Sequence, residues 1–303
     1  WFTTLNSDFN TFENLIKSTQ TFSVDASLYQ NAGANMVQQL AYALAHANEY
    51  LNRIDNNPTL RGIFAESSNE MPEIIFNMSV GSNHFFEIAK IRALRLLWTT
   101  LMSEYKFNIN CHIFTTPTKR NKTLYDYNTN MLRTTTECMS AILGGSNTIC
   151  NLPYDAIYHK TNEFGNRIAR NQLLILKHES YFDKVNNPAD GAYYIETITN
   201  QIAEKALELF KNIEATGGFL KQLKEGTIQR KVKESADKEQ QQFNAGDMVL
   251  TGTNKHTNPS DKMKDNLELY PFVKTNHRKT LIEPIIEKRL SEAMEQKRLK
   301  SEI

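Results

Sequence analysis

Ile74-Ile75-Phe76-Asn77-Met78-Ser79-Val80, closed by Gly81, is a β-rich apolar run too short for a helix. The residues behind it read as a helix over 83–105, with Phe86, Ala89, Leu94, Leu97 and Leu101 on one stripe and Ser82 or Asn83 as its cap. The same unit recurs on either side. Upstream, Phe22-Ser23-Val24-Asp25-Ala26-Ser27 precedes a helix over 34–51 carrying Val37, Leu40, Ala41, Leu44 and Leu51. Downstream, Phe107-Asn108-Ile109-Asn110-Cys111-His112-Ile113-Phe114 leads to a helix over 130–143 that Gly144-Gly145 would end in the left-handed region. A fourth run, 147–151, precedes a helix over 163–176. Strand then helix, four times over, is the pattern of a parallel α/β sheet with crossover helices. An open doubly wound sheet and a (β/α) barrel both fit it.

Beyond Pro188 the chain changes character. A helix over 195–215 carries Ile198, Ile202, Ala206, Leu209 and Ile213, and stops at Gly217-Gly218. Residues 230–242 are mostly charged or amide, 251–265 read as loop, and a last helix is expected over 281–299 with Pro284 in its first turn. Residues 201–303 hold 19 Lys/Arg and 16 Asp/Glu, about half of the chain's 69 charged residues in a third of its length. A boundary near 200 follows, with a solvated, largely helical segment after it that reads as wrapping another body.

In 303 residues, 40 % are hydrophobic and 16 Phe, 12 Tyr and 2 Trp rule out a disordered chain. A net charge of +1 excludes a general binder of nucleic acid or anionic membrane held by counterion release, so neither is expected as a partner. Cys111, Cys138 and Cys150 have no CxxC spacing, which favours a reducing compartment over a disulfide framework or a zinc site. No leader-like or membrane-spanning run is present, and a cytoplasmic location is expected. The chain begins at Trp1, not Met, as a processed, trimmed or partial chain would.

No complete active site is legible in the spacing. The histidines at 46, 84, 112, 159, 178, 256 and 277 show no HExxH, and no GxGxxG, GxxxxGK[ST] or GxSxG occurs. No metal site is expected. Cys111 and Cys150 read as small packed residues, Glu66, Glu70 and Glu73 as a solvated loop, and Asp25 as a charge needing a partner or solvent. Lys119-Arg120-Asn121-Lys122 reads as a solvated loop, with an anionic ligand as its functional alternative.

An ordered set of segments nevertheless resembles the adenosylcobalamin-dependent methylmalonyl-CoA mutases. These are Gln30-Asn31-Ala32-Gly33-Ala34 with 39–45, Phe85-Phe86-Glu87-Ile88-Ala89-Lys90-Ile91-Arg92-Ala93 through Trp98, and Leu132-Arg133-Thr134. Gly144-Gly145-Ser146-Asn147, residues 164–171, and Asn187-Pro188-Ala189-Asp190-Gly191-Ala192-Tyr193-Tyr194-Ile195-Glu196 complete it. The resemblance covers nearly the whole chain in the family's order. It implies the C-terminal half of a TIM (β/α)8 barrel over 1–180, strands five to eight, then a post-barrel, mainly helical linker over 181–303. The first four strands would precede Trp1. A cobalamin domain, whose DxHxxG marker is absent here, would follow Ile303.

Departures from the family pattern fall on the pocket. Ser27-Leu28 replaces a Tyr-His pair at the end of the fifth strand, and a leucine cannot donate a hydrogen bond to a thioester carbonyl. Asn147 replaces Gln and Cys150 replaces His, while the arginine of the seventh strand falls on Asn110 or His112. Degenerate pocket positions Ser27, Leu28, Asn147 and Cys150, with no catalytic residue, imply the non-catalytic small subunit of a heterodimer. The partner would be the large catalytic mutase subunit, which would bind adenosylcobalamin and, through the complex, acyl-CoA. In that reading Leu28 and Cys150 pack and Asn147 hydrogen-bonds locally. An active acyl-CoA mutase with an altered pocket, and a scaffold outside mutase biology, are the alternatives.

Overall fold

The computed structural model describes residues 4–65, 72–274 and 280–302. Glu66, Glu70 and His277 lie outside the described residues. Helix α1 (Leu5–Thr19) is capped by Thr4, whose hydroxyl accepts from Ser7 N–H, and leads into strand β1 (Thr21–Asp25). A one-turn helix α2 (Ser27–Asn31) follows, then α3 (Met36–Asp55) with a reciprocal Asn35–Gln38 capping box, and α4 (Pro58–Phe64). Strand β2 (Glu73–Val80) feeds α5 (His84–Tyr105), β3 (Asn110–Pro117) feeds α6 (Thr129–Leu143), and β4 (Thr148–Ile149) precedes α7 (Glu163–His178).

The four strands form one parallel sheet in the order β1-β2-β3-β4. Register puts Val24 beside Phe76 and Ile113, all buried against the helices. Because side chains alternate, Ser23, Asp25, Ile75, Asn77, His112 and Phe114 share the opposite face, which is exposed or half-buried. Trp98 closes the helix side, its ring edge-on to Phe76 at 5.3 Å and its indole N–H donating to Ile109 O at 3.1 Å.

The charged segment does not stand off as a separate body. Helix α8 (Tyr193–Ala215) packs against α3 and α5, and Ile198, Ile202, Ala206, Phe210 and Ile213 belong to the same core as the sheet. Helices α9 (Phe219–Lys224) and α10 (Thr227–Ala245) add Phe219, Ile228 and Val232 to that core. Its polarity is that of amphipathic helices with one face buried.

Several expected boundaries move. The first strand stops at Asp25, because Asp25 Oδ1 accepts from Ser27 N–H and hydroxyl (3.1 and 2.5 Å) and turns the chain into α2. The third begins at Asn110, since Lys106 closes α5 in the left-handed region at φ 56° and Phe107 instead bridges Ala65. The fourth is reduced to two residues, because the Asn147 side chain accepts Ile113 N–H at 3.0 Å where a strand backbone would. Asn83 occupies the N-cap of α5 without a side-chain bond, and Gly145 takes the left-handed conformation at φ 84° while Gly144 stays right-handed. The last helix, α11 (Glu292–Ser301), starts well after Pro284. Backbone groups before it are used tertiarily: Lys288 N–H donates to Asn31 O and Leu290 N–H to Arg120 O.

Candidate functional site

Ser27 and Leu28 open α2 just beyond the end of β1. Ser27 spends its hydroxyl on Asp25, and this is the partner that Asp25 finds. Leu28 is half-buried on a groove of about 1020 Å³ lined also by Asp25, Tyr29, His46, Tyr50, Phe219 and Pro284. In that wall Tyr29 OH meets His46 Nδ1 and Tyr50 OH meets His46 Nε2, each at 3.2 Å, with Phe219 stacked on the imidazole. Burial outweighs the pull of Asp25 and lowers the His46 pKa to about 4.

Asn147 and Cys150 flank β4 at the other edge of the sheet. Three strand spacings of ~4.8 Å separate β4 from β1, roughly 14 Å along the sheet, so the four positions form two separate pairs. Asn147 Oδ1 takes Ile113 N–H and an Arg95 N–H at 2.6 Å, a structural role that ties the β4 edge to β3 and α5. Cys150 does not pack: it is exposed, just beyond the two-residue strand β4. Cys111 and Cys138 are buried, which pushes their thiols up to about 12. Asn110 and His112 both lie on the open face. Asn110 donates to Glu73 Oε1 at 2.9 Å, and His112 has Glu73 at 3.5 Å and the Thr148 hydroxyl at 2.9 Å.

The basic stretch is neither a solvated loop nor free for an anion. Arg120, Asn121 and Lys122 are buried and engaged by the chain's own carboxylates. Lys122 Nζ pairs with Glu137 at 2.8 Å, Asn121 donates to the same carboxylate at 2.6 Å, and Arg120 pairs with Glu239 of α10. Only Lys119 is exposed, reaching Glu287 at 3.3 Å.

The densest polar chemistry is one that spacing did not single out. Lys90 Nζ, fully buried, donates to Gln30 Oε1 (2.8 Å), Gln39 Oε1 (3.0 Å) and Ser79 O (2.7 Å) and pairs with Glu87 Oε2 at 2.5 Å, while Gln30 donates to Glu87 Oε1 at 2.9 Å. Burial pulls the Lys90 ammonium below its ordinary range, against the charge of Glu87. An acid and a base three residues apart inside an otherwise apolar helical stretch were the available signal. Nearby, Arg92 ties Glu196 at 2.5 Å and Asn187, joining α5 to the turn before α8.

A parallel α/β protein of βα units thus emerges, with a buried Lys90–Glu87 pair bonded to the end of β2. The sequence profile of methylmalonyl-CoA mutase matches residues 4–301, and the chain belongs to that family. It is 39 % identical over 255 residues to the methylmalonyl-CoA mutase small subunit of Porphyromonas gingivalis, covering 82 % of this chain and 40 % of that protein. To the methylmalonyl-CoA mutase of Rhizobium meliloti it is 34 % identical over 258 residues, 82 % of this chain and 35 % of that one. The large subunit from P. gingivalis is 30 % identical over 256 residues, 82 % of this chain and 34 % of its own. The chain spans about a third to two fifths of the relatives it matches.

Among the described residues no three His, Cys, Asp or Glu converge as a metal site. His46 is held between two tyrosines, His84 by Ser140, His112 by Thr148 and His159 by Asp155 and Asn266. Loops beyond β1 and β3 are also crossed by the chain's own residues 287–290. No helix among the described residues is long and apolar enough to cross a membrane.

Proposed function

We propose that this chain is the second half of an acyl-CoA mutase TIM barrel (1–180) with its post-barrel linker (181–303), from the non-catalytic small subunit of a heterodimeric methylmalonyl-CoA mutase. Its work is to support a large subunit that interconverts methylmalonyl-CoA and succinyl-CoA in the cytoplasm. Adenosylcobalamin, carried by that partner, supplies the radical chemistry. In this reading the open sheet face, Asp25 to Phe114, looks along the barrel axis.

One observation carries the proposal: where an acid–base group would face substrate at the first strand end, Leu28 offers only methyl groups and Ser27 is bound to Asp25. The other two positions supply nothing in its place, since Asn147 is used by Ile113 and Arg95, and Cys150 lies at the far edge. Similarity to a protein named as a small subunit supports the same assignment, as does the large subunit in the same organism. The test is turnover of methylmalonyl-CoA by the full-length subunit, with adenosylcobalamin, alone and with its large subunit. Activity is expected only in the pair; turnover by the isolated subunit overturns the assignment.

A further inference from the structure

The turn that follows β4 meets the charged segment at His159. Its Nδ1 lies 3.2 Å from Asp155 Oδ2 and its Nε2 lies 3.1 Å from Asn266 Oδ1. Both neighbours present oxygens, and a neutral imidazole carries a single N–H, so only the imidazolium donates to both at once. Asp155 cannot turn away: it is buried, it takes the Asn162 amide at 2.7 Å, and its other oxygen lies where a Cβ on Gly165 would come within 2.5 Å.

The remaining contacts of this junction are backbone bonds. Glu268 and Leu269 N–H both donate to Tyr158 O at 2.9 Å, and Lys160 N–H donates to Glu268 Oε2 at 2.8 Å. The charged groups around the imidazole are Asp155 on its own turn, Glu268 from the facing segment and the neighbouring Lys160, while the Tyr158 ring packs on it at 4.4 Å. Helix α7 presents the neutral amide Asn166 from its first turn, with Asn162 as its cap. Leu269, itself exposed, is among the residues lining a cavity of about 350 Å³ between the turn and α7.

We propose that His159 is a protonation-dependent latch fastening residues 266–269 onto the turn between β4 and α7. Burial alone would lower its pKa, but the bonds to Asp155 and Asn266 and the charges of Asp155 and Glu268 outweigh it and hold the value above the ordinary 6.5. The fastening is therefore complete below the unfolded value and is lost as pH rises through the raised one. Deprotonation removes the charge-assisted bond to Asp155 and weakens the hold of the turn on residues 266–269.

The test uses the full chain: an NMR titration of the His159 ring, with hydrogen exchange at Lys160, Glu268 and Leu269 between about pH 6 and pH 8. Protection, corrected for intrinsic exchange, is expected to fall about fivefold as the ring deprotonates. In His159→Gln, which does not titrate, protection is expected to be flat with pH. Asn266→Ala is expected to lower the titration point of His159 with no change in global melting temperature. A ring neutral throughout this range, or protection in the unsubstituted chain that does not change with its titration, overturns the latch; both readouts stand without the variants.

Discussion

Two regions at the strand ends are built from opposite chemistry. Around Lys90 and Lys122, carboxylates, amides and backbone oxygens saturate buried ammonium groups, and β2, α3, α5 and α6 are locked together through them. At the other, Ser27 and Asn147 are used within the chain, by Asp25 and by Ile113 and Arg95, while Leu28 lines an open groove and Cys150 is exposed. In the proposed reading, the first region includes Gln30, Glu87 and Lys90 from segments that resemble the family, and the second holds the positions that depart from it. A protein kept for support needs the first intact and is indifferent to the second, whereas a catalyst needs both.

The largest expected effect lies in the first region. Lys90→Ala leaves Glu87 charged and dry, and is expected to cost about 3–5 kcal/mol of unfolding free energy in urea denaturation. Replacing both members by apolar residues, Lys90→Met with Glu87→Leu, is expected to recover most of that loss. A Lys90→Ala chain as stable as the parent breaks the contrast.

The next effect is a pH dependence in the groove. His46 is neutral when folded, with a pKa of about 4 against 6.5 when unfolded, so its contribution is present above pH 6.5 and lost as pH falls toward 4. The full loss is on the order of 3 kcal/mol. Denaturation at several pH values is expected to show this acid-side slope, and His46→Gln is expected to flatten it.

Smaller still is Asn147→Ala, expected to cost about 1–2 kcal/mol by orphaning Ile113 N–H and Arg95. Thiol labelling followed by mass spectrometry is expected to modify Cys150 first and leave Cys111 and Cys138 protected until unfolding, because the latter two are buried with raised pKa values.

The four βα units were legible because their buried faces are continuous apolar runs or clean stripes. Helix α1 was not, since Ile16 is its only buried residue, and α2, α4 and α9 are too short for a period to register. Residues 281–291 carry a helical pattern, yet their backbone groups bond to Asn31 and Arg120, a tertiary choice that no local propensity encodes. At the site, Asn147 bonds not to its sequence neighbours but to Ile113 of β3 and Arg95 of α5, 34 and 52 residues away, which the residue type does not reveal. The exposure of Cys150 and the burial of Arg120 and Lys122 depend on what covers them, and that information lies 100 residues or more away for Arg120, whose carboxylate is Glu239.

The central claim is that the pocket positions of this chain do no chemistry. Ser27→Ala, Leu28→Ala, Asn147→Ala and Cys150→Ala, each in the full-length subunit assembled with its large subunit, test it through kcat for methylmalonyl-CoA. The account predicts rates within about twofold of the parent complex, less than half a kcal/mol in barrier. A tenfold or greater fall in kcat from any of them, in a complex assembled to the normal extent, would contradict it.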